Sequence, residues 1–546
     1  MRTVNVTKGV CAGLAATALS LAGLTGLAAA DPPASTACSK ASANELLTVP
    51  TSNGPVTGHV ALGTSCVLEY LGIPYAKPPV GKLRFAAPQV IDRQSPYTAA
   101  DFGFDCPLTP SKPVDYPGFT PQAQRIINYF ASGTGNPQDE DCLTLNIWSK
   151  ATSKARSAKK PVIVFLYGGR FTIGSTNSPF YNGKHLADAQ DVVVVTLNYR
   201  INVFGFPGAP GSPQNLGLRD QRAAVEWIRD NVAHFGGDSS RIILAGQSSG
   251  GVSADYWAYA YPDDPIVSGL VLLSGTAFSF PFNAPPVPAR NWNAVVAAVG
   301  CNTTTTTASA LACMRAIPWQ TLKSAAAALK PPPRTRPLRS IPAFYPFPDD
   351  TLVFTPAQYH ALTSAGRFAR VPVLVSTNAN EAGYYRIPAF ASGVVPTADQ
   401  TAAFHRESFA CPAAYAASAR EARGVPAWAM RYAADWPNTR LYDGSGAYHG
   451  ADLHMVFGGS EEVSGLPEEV GQARLEREVV QRAWGAFAED PWEGLGREMG
   501  WPRWGERGAR RESLVVVGEE GVRFVEVGQG TVAEGECEGV VMGAEG

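Results

Sequence analysis

Charge is scarce in this chain and neither sign dominates: 17% of its 546 residues are Asp, Glu, Lys or Arg, and the formal net charge is −2. A surface that grips nucleic acid needs concentrated cations to displace phosphate counterions, so this balance excludes that class of partner. The hydrophobic fraction of 45% excludes a disordered chain, which lacks the apolar material for a core. No C-x-x-C pair occurs and no cysteine has a histidine at ligand spacing, so no metal site is expected. Neither G-x-G-x-x-G nor a P-loop is present, so no nucleotide cofactor is expected either. Histidine is rare. The seven are His59, His185, His234, His360, His405, His449 and His454, so a reaction that needs an imidazole base has few candidates.

Long apolar runs are confined to the amino end. Arg2 and Lys8 precede or flank an apolar stretch from about Val10 to Leu27, which ends in Ala28-Ala29-Ala30. A positive start, a short apolar core and small residues before the cut mark a secretory signal, expected over residues 1–30. The stretch is diluted by Gly, Ala, Ser and Thr and lacks a positive stop sequence, which argues against a permanent anchor. No later segment is apolar enough to span a bilayer, so the mature chain is expected outside the cell. Cleavage removes two cations and Cys11, so −2 becomes −4 and eight cysteines remain: Cys38, Cys66, Cys106, Cys142, Cys301, Cys313, Cys411 and Cys537. An even number in an exported chain predicts four disulfides. Asn302-Thr303-Thr304 lies in a Thr-rich stretch and is the expected glycosylation site.

Five apolar, β-branched runs define the interior: Pro161–Leu166, Val192–Leu197, Ile242–Ala245, Leu270–Leu273 and Val371–Val375. Runs apolar on both faces suit a parallel sheet covered by helices. Between the second and third, Leu218, Val225, Ile228, Val232 and Phe235 share one helical face, and Gly236-Gly237 stops the helix. His234 at its end reads as a capping or packing residue. This alternation predicts an α/β chain built on a large, mostly parallel sheet flanked by helices. No repeat or clean linker interrupts residues 31–546, so a single domain with long insertions is expected. Pro331–Arg339 reads as an exposed connection, and the Gly- and Glu-rich tail after about Gly528 as loosely ordered.

Gly246-Gln247-Ser248-Ser249-Gly250 is the sole G-x-S-x-G, and it stands between an apolar run and a helical one. That pattern makes a tight strand-to-helix turn with an exposed serine at its apex, and the helix start aims N–H groups at charge forming beside Ser248. A serine hydroxyl needs a base to take its proton. His449, in the glycine-bracketed loop Gly446–Gly450, fits that role better than His454, which lies in a more apolar run and reads as structural. Glu381 follows the run ending at Val375, at the carboxyl edge of the sheet, where it can orient the imidazole. Tyr167-Gly168-Gly169-Arg170-Phe171 also follows a strand and offers main-chain N–H groups for an oxyanion.

These pieces resemble the type B carboxylesterase/lipase family, which includes cholinesterases and secreted fungal lipases. The similarity runs from about Gly54 to Phe524 and includes Gly72-Ile73-Pro74-Tyr75-Ala76, Glu140-Asp141-Cys142-Leu143-Thr144-Leu145-Asn146, Asn198-Tyr199-Arg200 with Phe204-Gly205-Phe206, and Phe235-Gly236-Gly237-Asp238. The resemblance implies an α/β-hydrolase fold and a serine ester hydrolase with Ser248 as nucleophile, Glu381 as acid and His449 as base. It further implies oxyanion donors at Gly169, Arg170 and Ser249, no cofactor, and a small-molecule or lipid ester as substrate. Disulfides Cys106–Cys142 and Cys301–Cys313 carry over from the family; Cys38, Cys66, Cys411 and Cys537 admit three pairings. Non-catalytic binding proteins of this fold usually lack a triad residue, whereas all three are present here.

Three departures bear on substrate. Arg170 stands where a third glycine is usual, and its guanidinium either faces the acyl site or enters a salt bridge under the loop. Gln247 and Ser249 replace the family's Glu and Ala, and the stretch from Glu381 to Cys411 is short. The segment framed by Cys106 and Cys142, with Asp115, Tyr116, Pro117, Phe119, Ile126, Ile127 and Phe130, is the candidate lid of a lipase.

Overall fold

The computed structural model describes residues 47–542 apart from 93–94, 152–158, 304–305, 330–336, 339, 506–510, 529–530, 533–534 and 541. The expected leader over residues 1–30 lies outside that set, as does most of the Pro331–Arg339 connection. Residues Cys38–Gly546 form one compact unit.

Eleven strands build one sheet. In chain order they are β1 (His59–Val60), β2 (Val67–Pro74), β3 (Thr144–Lys150), β4 (Lys160–Leu166), β5 (Val193–Leu197), β6 (Gly237–Gln247), β7 (Gly269–Leu273), β8 (Val373–Asn378), β9 (Ala427–Tyr432), β10 (Arg511–Gly518) and β11 (Gly521–Gly528). Across the sheet they run β11-β10-β9-β8-β7-β6-β4-β5-β3-β2-β1. The pairs from β5 through β4, β6, β7, β8 and β9 to β10 are parallel. Both margins are antiparallel. The five apolar runs of the sequence are the five adjacent central strands, and their side chains are buried on both faces. This is the α/β-hydrolase fold, and it gathers the carboxyl ends of β4, β6, β7 and β8 along one rim.

Seven helices bear on the rim and its supports: α1 (Ala123–Phe130), α2 (Leu216–Asn231), α3 (Ser249–Ala260), α4 (Ala382–Phe390), α5 (Ala398–His405), α6 (Cys411–Glu421) and α7 (Asp452–Phe457). The periodic helix is α2, followed by a 3₁₀ turn over Val232–Phe235 and a left-handed Gly236 at φ 86°. His234 differs from expectation: it is exposed on that turn rather than packed. A π-helical turn, Arg406–Ala410, joins α5 to α6. Among the described residues no helix is long and apolar enough to cross a membrane.

Disulfides link Cys106 to Cys142, Cys301 to Cys313 and Cys411 to Cys537. Cys66 is disulfide-bonded as well. The third bond corrects the expectation of a loose tail, because it fixes the chain end to the start of α6, and Thr531–Val532 pairs with Gly535–Glu536 just before it. Asn302 is exposed in the 3₁₀ turn Cys301–Thr303.

Beneath α7, a glycine at 458 leaves room for the buried carboxyl of Glu476. Burial, reinforced by the neighbouring Glu468, pushes this group from an ordinary 4.5 up to about 9. Its Oε2 has no partner among the described residues. A folded-state pKa above the unfolded one means that the folded chain holds the extra proton, so stability falls as pH rises between the two values. Glu476→Gln removes that burden. The variant is expected to raise the urea midpoint at about pH 8 and to leave it unchanged at about pH 4; equal midpoints at the higher pH would contradict a proton held at Glu476.

Candidate active site

Ser248 sits between β6 and α3 with φ 56° and ψ −122°, a left-handed conformation that a non-glycine residue adopts only under constraint. Its N–H donates to the Leu273 carbonyl at 2.8 Å, which pins the turn to the end of β7. The turn closes only because its neighbours lack side chains. A Cβ on Gly250 would overlap the Leu166 carbonyl, and one on Gly168 would lie 2.9 Å from Cβ of Ser248. Ser248 itself is 3% exposed.

Glu381 directly follows β8 and its connecting turn, and it is fully buried. Its Oε1 accepts from Ser274 Oγ at 2.6 Å and from the Asn378 N–H at 2.8 Å, and its Oε2 receives Nδ1 of His449 at 2.6 Å. The loop that carries His449 is tied to the acid's loop by main-chain pairing. The Asn380 N–H donates to the Ala447 carbonyl at 2.9 Å, and the Asn380 side-chain amide donates to the Ser445 carbonyl at 2.8 Å. Rings of Phe130, Tyr385 and Phe409 enclose the imidazole, with centroids 6.4, 5.0 and 5.2 Å away.

The other imidazole nitrogen, Nε2, meets the Gln247 amide nitrogen at 3.1 Å. An amide NH₂ only donates, so Nε2 presents its lone pair and the ring proton lies on Nδ1, toward Glu381. Glu381 and His449 are therefore in contact, and Ser248 is one residue from the group that touches His449. The Ser248 hydroxyl is hydrogen-bonded to Tyr385 rather than to the imidazole; burial raises the Tyr385 phenol well above its ordinary value, while the Arg170 charge and this hydrogen bond work the other way. Behind the pair, burial and the Glu381 charge push Asp452 up to about 6, against a hydrogen bond from Asn378. His454 is structural, as expected: burial lowers it to about 3, and its Nε2 lies 3.1 Å from the Tyr448 hydroxyl.

After β4 the chain turns through Gly169, Arg170 and Phe171 at φ 113°, 58° and 57°. The Phe171 N–H reaches Ser249 Oγ at 3.4 Å, so the loop is tied to the serine turn. The N–H groups of Gly169, Arg170 and Ser249 donate to no atom of the described residues. The salt-bridge alternative for Arg170 is overturned. Its Nη2 instead donates to the carbonyl and hydroxyl of Ser340, at 2.6 and 2.7 Å, and no carboxylate lies within ion-pairing distance among the described residues. The guanidinium is exposed because the tight loop directs it outward, above the serine rather than beneath the loop.

A cavity of about 50 Å³ adjoins Ser248, walled by Arg170, Phe280, Leu338, Tyr385 and Phe404. Leu338 is buried there, although it belongs to the stretch that the sequence suggests is exposed. A larger cavity, about 1240 Å³, opens at the opposite, amino-terminal ends of the strands beside Lys160 and Arg241, remote from all these groups. The candidate lid contributes Phe130, whose edge meets His449, and Tyr116, which packs on Phe390 of α4 at 5.3 Å.

Sequence reasoning missed Ser274 and Tyr385. The first had a signal, Ser274-Gly275 at the end of an apolar run on the catalytic rim. Tyr385 had only its position four residues after Glu381. Gln247 was noted as a lost charge, with no hint of its contact to His449.

Comparison with known proteins gives the family. The carboxylesterase family model matches residues 45–403. A chlorogenic acid esterase of Aspergillus niger is 32% identical over 465 residues, 82% of this chain and 84% of that protein. Secreted lipase 5 of Gibberella zeae is 30% identical over 514 residues, 85% of this chain and 91% of that protein. Acetylcholinesterase of Electrophorus electricus is 37% identical over a shorter stretch of 216 residues, 39% of this chain and 32% of that enzyme. The chain thus belongs to the carboxylesterase family and is a carboxylic ester hydrolase.

Proposed function

We propose that this hydrolase works by two-step acyl transfer, with Ser248 as nucleophile, His449 as general base and Glu381 as the acid that holds the imidazole. The observation that carries this reading is the buried Glu381–His449 contact at 2.6 Å, reached one residue from the strained serine turn. Ser248 Oγ attacks the ester carbonyl carbon while His449 Nε2 takes its proton. To do so the hydroxyl exchanges its bond to Tyr385 for one to Nε2, displacing the Gln247 amide. The carbonyl oxygen becomes an oxyanion that accepts from the N–H groups of Gly169, Arg170 and Ser249. His449 returns the proton to the departing alcohol, and water, deprotonated in turn by His449, releases the acid from Ser248. Glu381 keeps its charge throughout and stabilises the imidazolium.

The chain acts outside the cell in this reading, after loss of residues 1–30, as one domain carrying a glycan at Asn302. Three disulfides and the similarity to the secreted lipase of Gibberella support export. Small esters are the preferred substrates, since the cavity is narrow; triglyceride hydrolysis is the second reading, favoured by the similarity to that same lipase.

Ser248→Ala is expected to lower kcat for p-nitrophenyl butyrate by roughly 10⁴-fold or more with an unchanged circular dichroism spectrum; retained turnover would refute the assignment. Rates across p-nitrophenyl esters of increasing chain length, and on chlorogenic acid, should be highest for short or compact acyl groups without a jump at micelle formation. A jump on long-chain esters would favour the lipase reading. Gln247→Glu sets a carboxylate against the imidazole and so favours its protonated form. The acid limb of the kcat/KM profile should then move to higher pH by about one unit or more, and an unshifted limb would show that the residue does not face the base during turnover.

A further inference from the structure

We infer that Arg170 is a carboxylate-recognition residue, and that the preferred substrates are esters carrying a free carboxylate near the scissile bond. This rests on the hydrolase reading of Ser248 and deepens it.

Among the described residues Arg170 is the only charged side chain on the wall of the Ser248 cavity, whose remaining described wall is apolar, aromatic or hydroxyl-bearing. Two donors of the guanidinium are engaged by Ser340, at its carbonyl and hydroxyl. That anchor fixes the plane of the group and occupies both Nη2 hydrogens, which either bidentate fork would need, and it leaves Nε–H and the Nη1 hydrogens without a partner among the described residues, as single charged donors for a carboxylate oxygen. The charge reaches into the site. It acts on the phenols of Tyr345, Tyr384 and Tyr385, lowering each against the larger upward effect of burial.

Backbone strain adds an independent observation. Arg170 holds φ 58° and is followed by Phe171 at 57°, conformations that glycine adopts without penalty and that an arginine adopts at a cost. The main-chain N–H at this position is available from any residue except proline, so oxyanion binding does not require the side chain. Ion pairing does not account for it either, since no carboxylate of the described residues reaches it. A ligand anion is the partner that this geometry lacks.

The carboxylate can sit on either half of the ester, and two matched pairs separate the cases. Mono-p-nitrophenyl glutarate against its methyl ester tests the acyl side; 4-acetoxybenzoate against methyl 4-acetoxybenzoate tests the alcohol side. After correction for alkaline hydrolysis, the wild-type enzyme should favour the anionic member of one pair by about tenfold or more in kcat/KM. That ratio should collapse to near unity in Arg170→Gly, survive in part in Arg170→Lys, and shrink between low salt and 0.5 M NaCl. The positive φ suits glycine, so Arg170→Gly should fold, and a thermal melt verifies it; the salt series and the lysine variant test the same charge without it. Neutral members preferred in both pairs, or a carboxylate preference that persists in Arg170→Gly, overturns the inference. Wild-type inactivity on all four esters overturns the hydrolase reading itself, and the inference with it.

Discussion

A strand must turn into a helix within one residue at Ser248, and that demand organises everything around it. The turn lies so close to its neighbours that side chains are excluded on three sides. Gly250 abuts the Leu166 carbonyl, Gly275 abuts the Ser248 carbonyl, and Gly168 lies against the serine Cβ. These contacts lock the carboxyl ends of β4, β6 and β7 into one cluster. The loop leaving β4 is then forced to pass over the serine with the N–H groups of Gly169 and Arg170 unpaired among the described residues, and the loop leaving β7 delivers Ser274 to Glu381. The serine turn, the loop that crosses it and the support for Glu381 are thus products of one steric constraint, imposed where central strands end.

The two buried histidines near the rim differ in what surrounds them. His449 and His454 are five residues apart and both almost wholly buried. Burial alone disfavours the imidazolium, and at His454, which has only a tyrosine hydroxyl beside it, the result is a ring held neutral down to about 3. His449 differs in having the Glu381 carboxyl at Nδ1, itself held by donors from Ser274 and Asn378. The pairing of Asn380 with the His449 loop keeps that geometry although Glu381 and His449 are 68 positions apart in the chain.

The legible parts of the fold were those where one physical signal was strong. Strands β4 to β8 are buried on both faces, so they read as unbroken apolar runs. The flanking strands escaped because polar residues interrupt them, such as Glu69 in β2, Asn146 and Ser149 in β3, and Arg431 in β9. Some of these are satisfied by contacts visible only in three dimensions: Asn146 bonds Gly72 and Thr196, and Glu69 bonds Trp148. In the site, Ser248, Glu381 and His449 were legible because each follows an apolar run or stands between glycines. Ser274 and Tyr385 were not, since their roles arise from proximity across more than 60 residues of chain. The placement of Arg170 stayed open between two alternatives for a related reason: sequence shows a charge but not the left-handed turn that directs it outward. The tail was misjudged because composition does not reveal which cysteine anchors it.

The two halves of the cavity wall differ in how firmly they are held. Ser248, Glu381 and their supporting strands belong to the main core, fixed by sheet hydrogen bonds. Leu338, Phe404 and Phe409, with Ala382 and Ala389, form a separate small apolar cluster against which Phe280 and Tyr385 pack. A cavity of about 50 Å³ is far below the roughly 300 Å³ at which ligand pockets begin, so an ester enters only if part of the wall yields. Displacing the small cluster exposes few apolar groups, whereas moving the rim would break strand pairing, so the side that yields is the one carried by α4 and α5. The Cys411–Cys537 bond limits that compliance, because it anchors the start of α6 two residues beyond Phe409, whose ring contacts His449. Access to the cavity and the position of the His449 ring are thereby linked through one aromatic side chain.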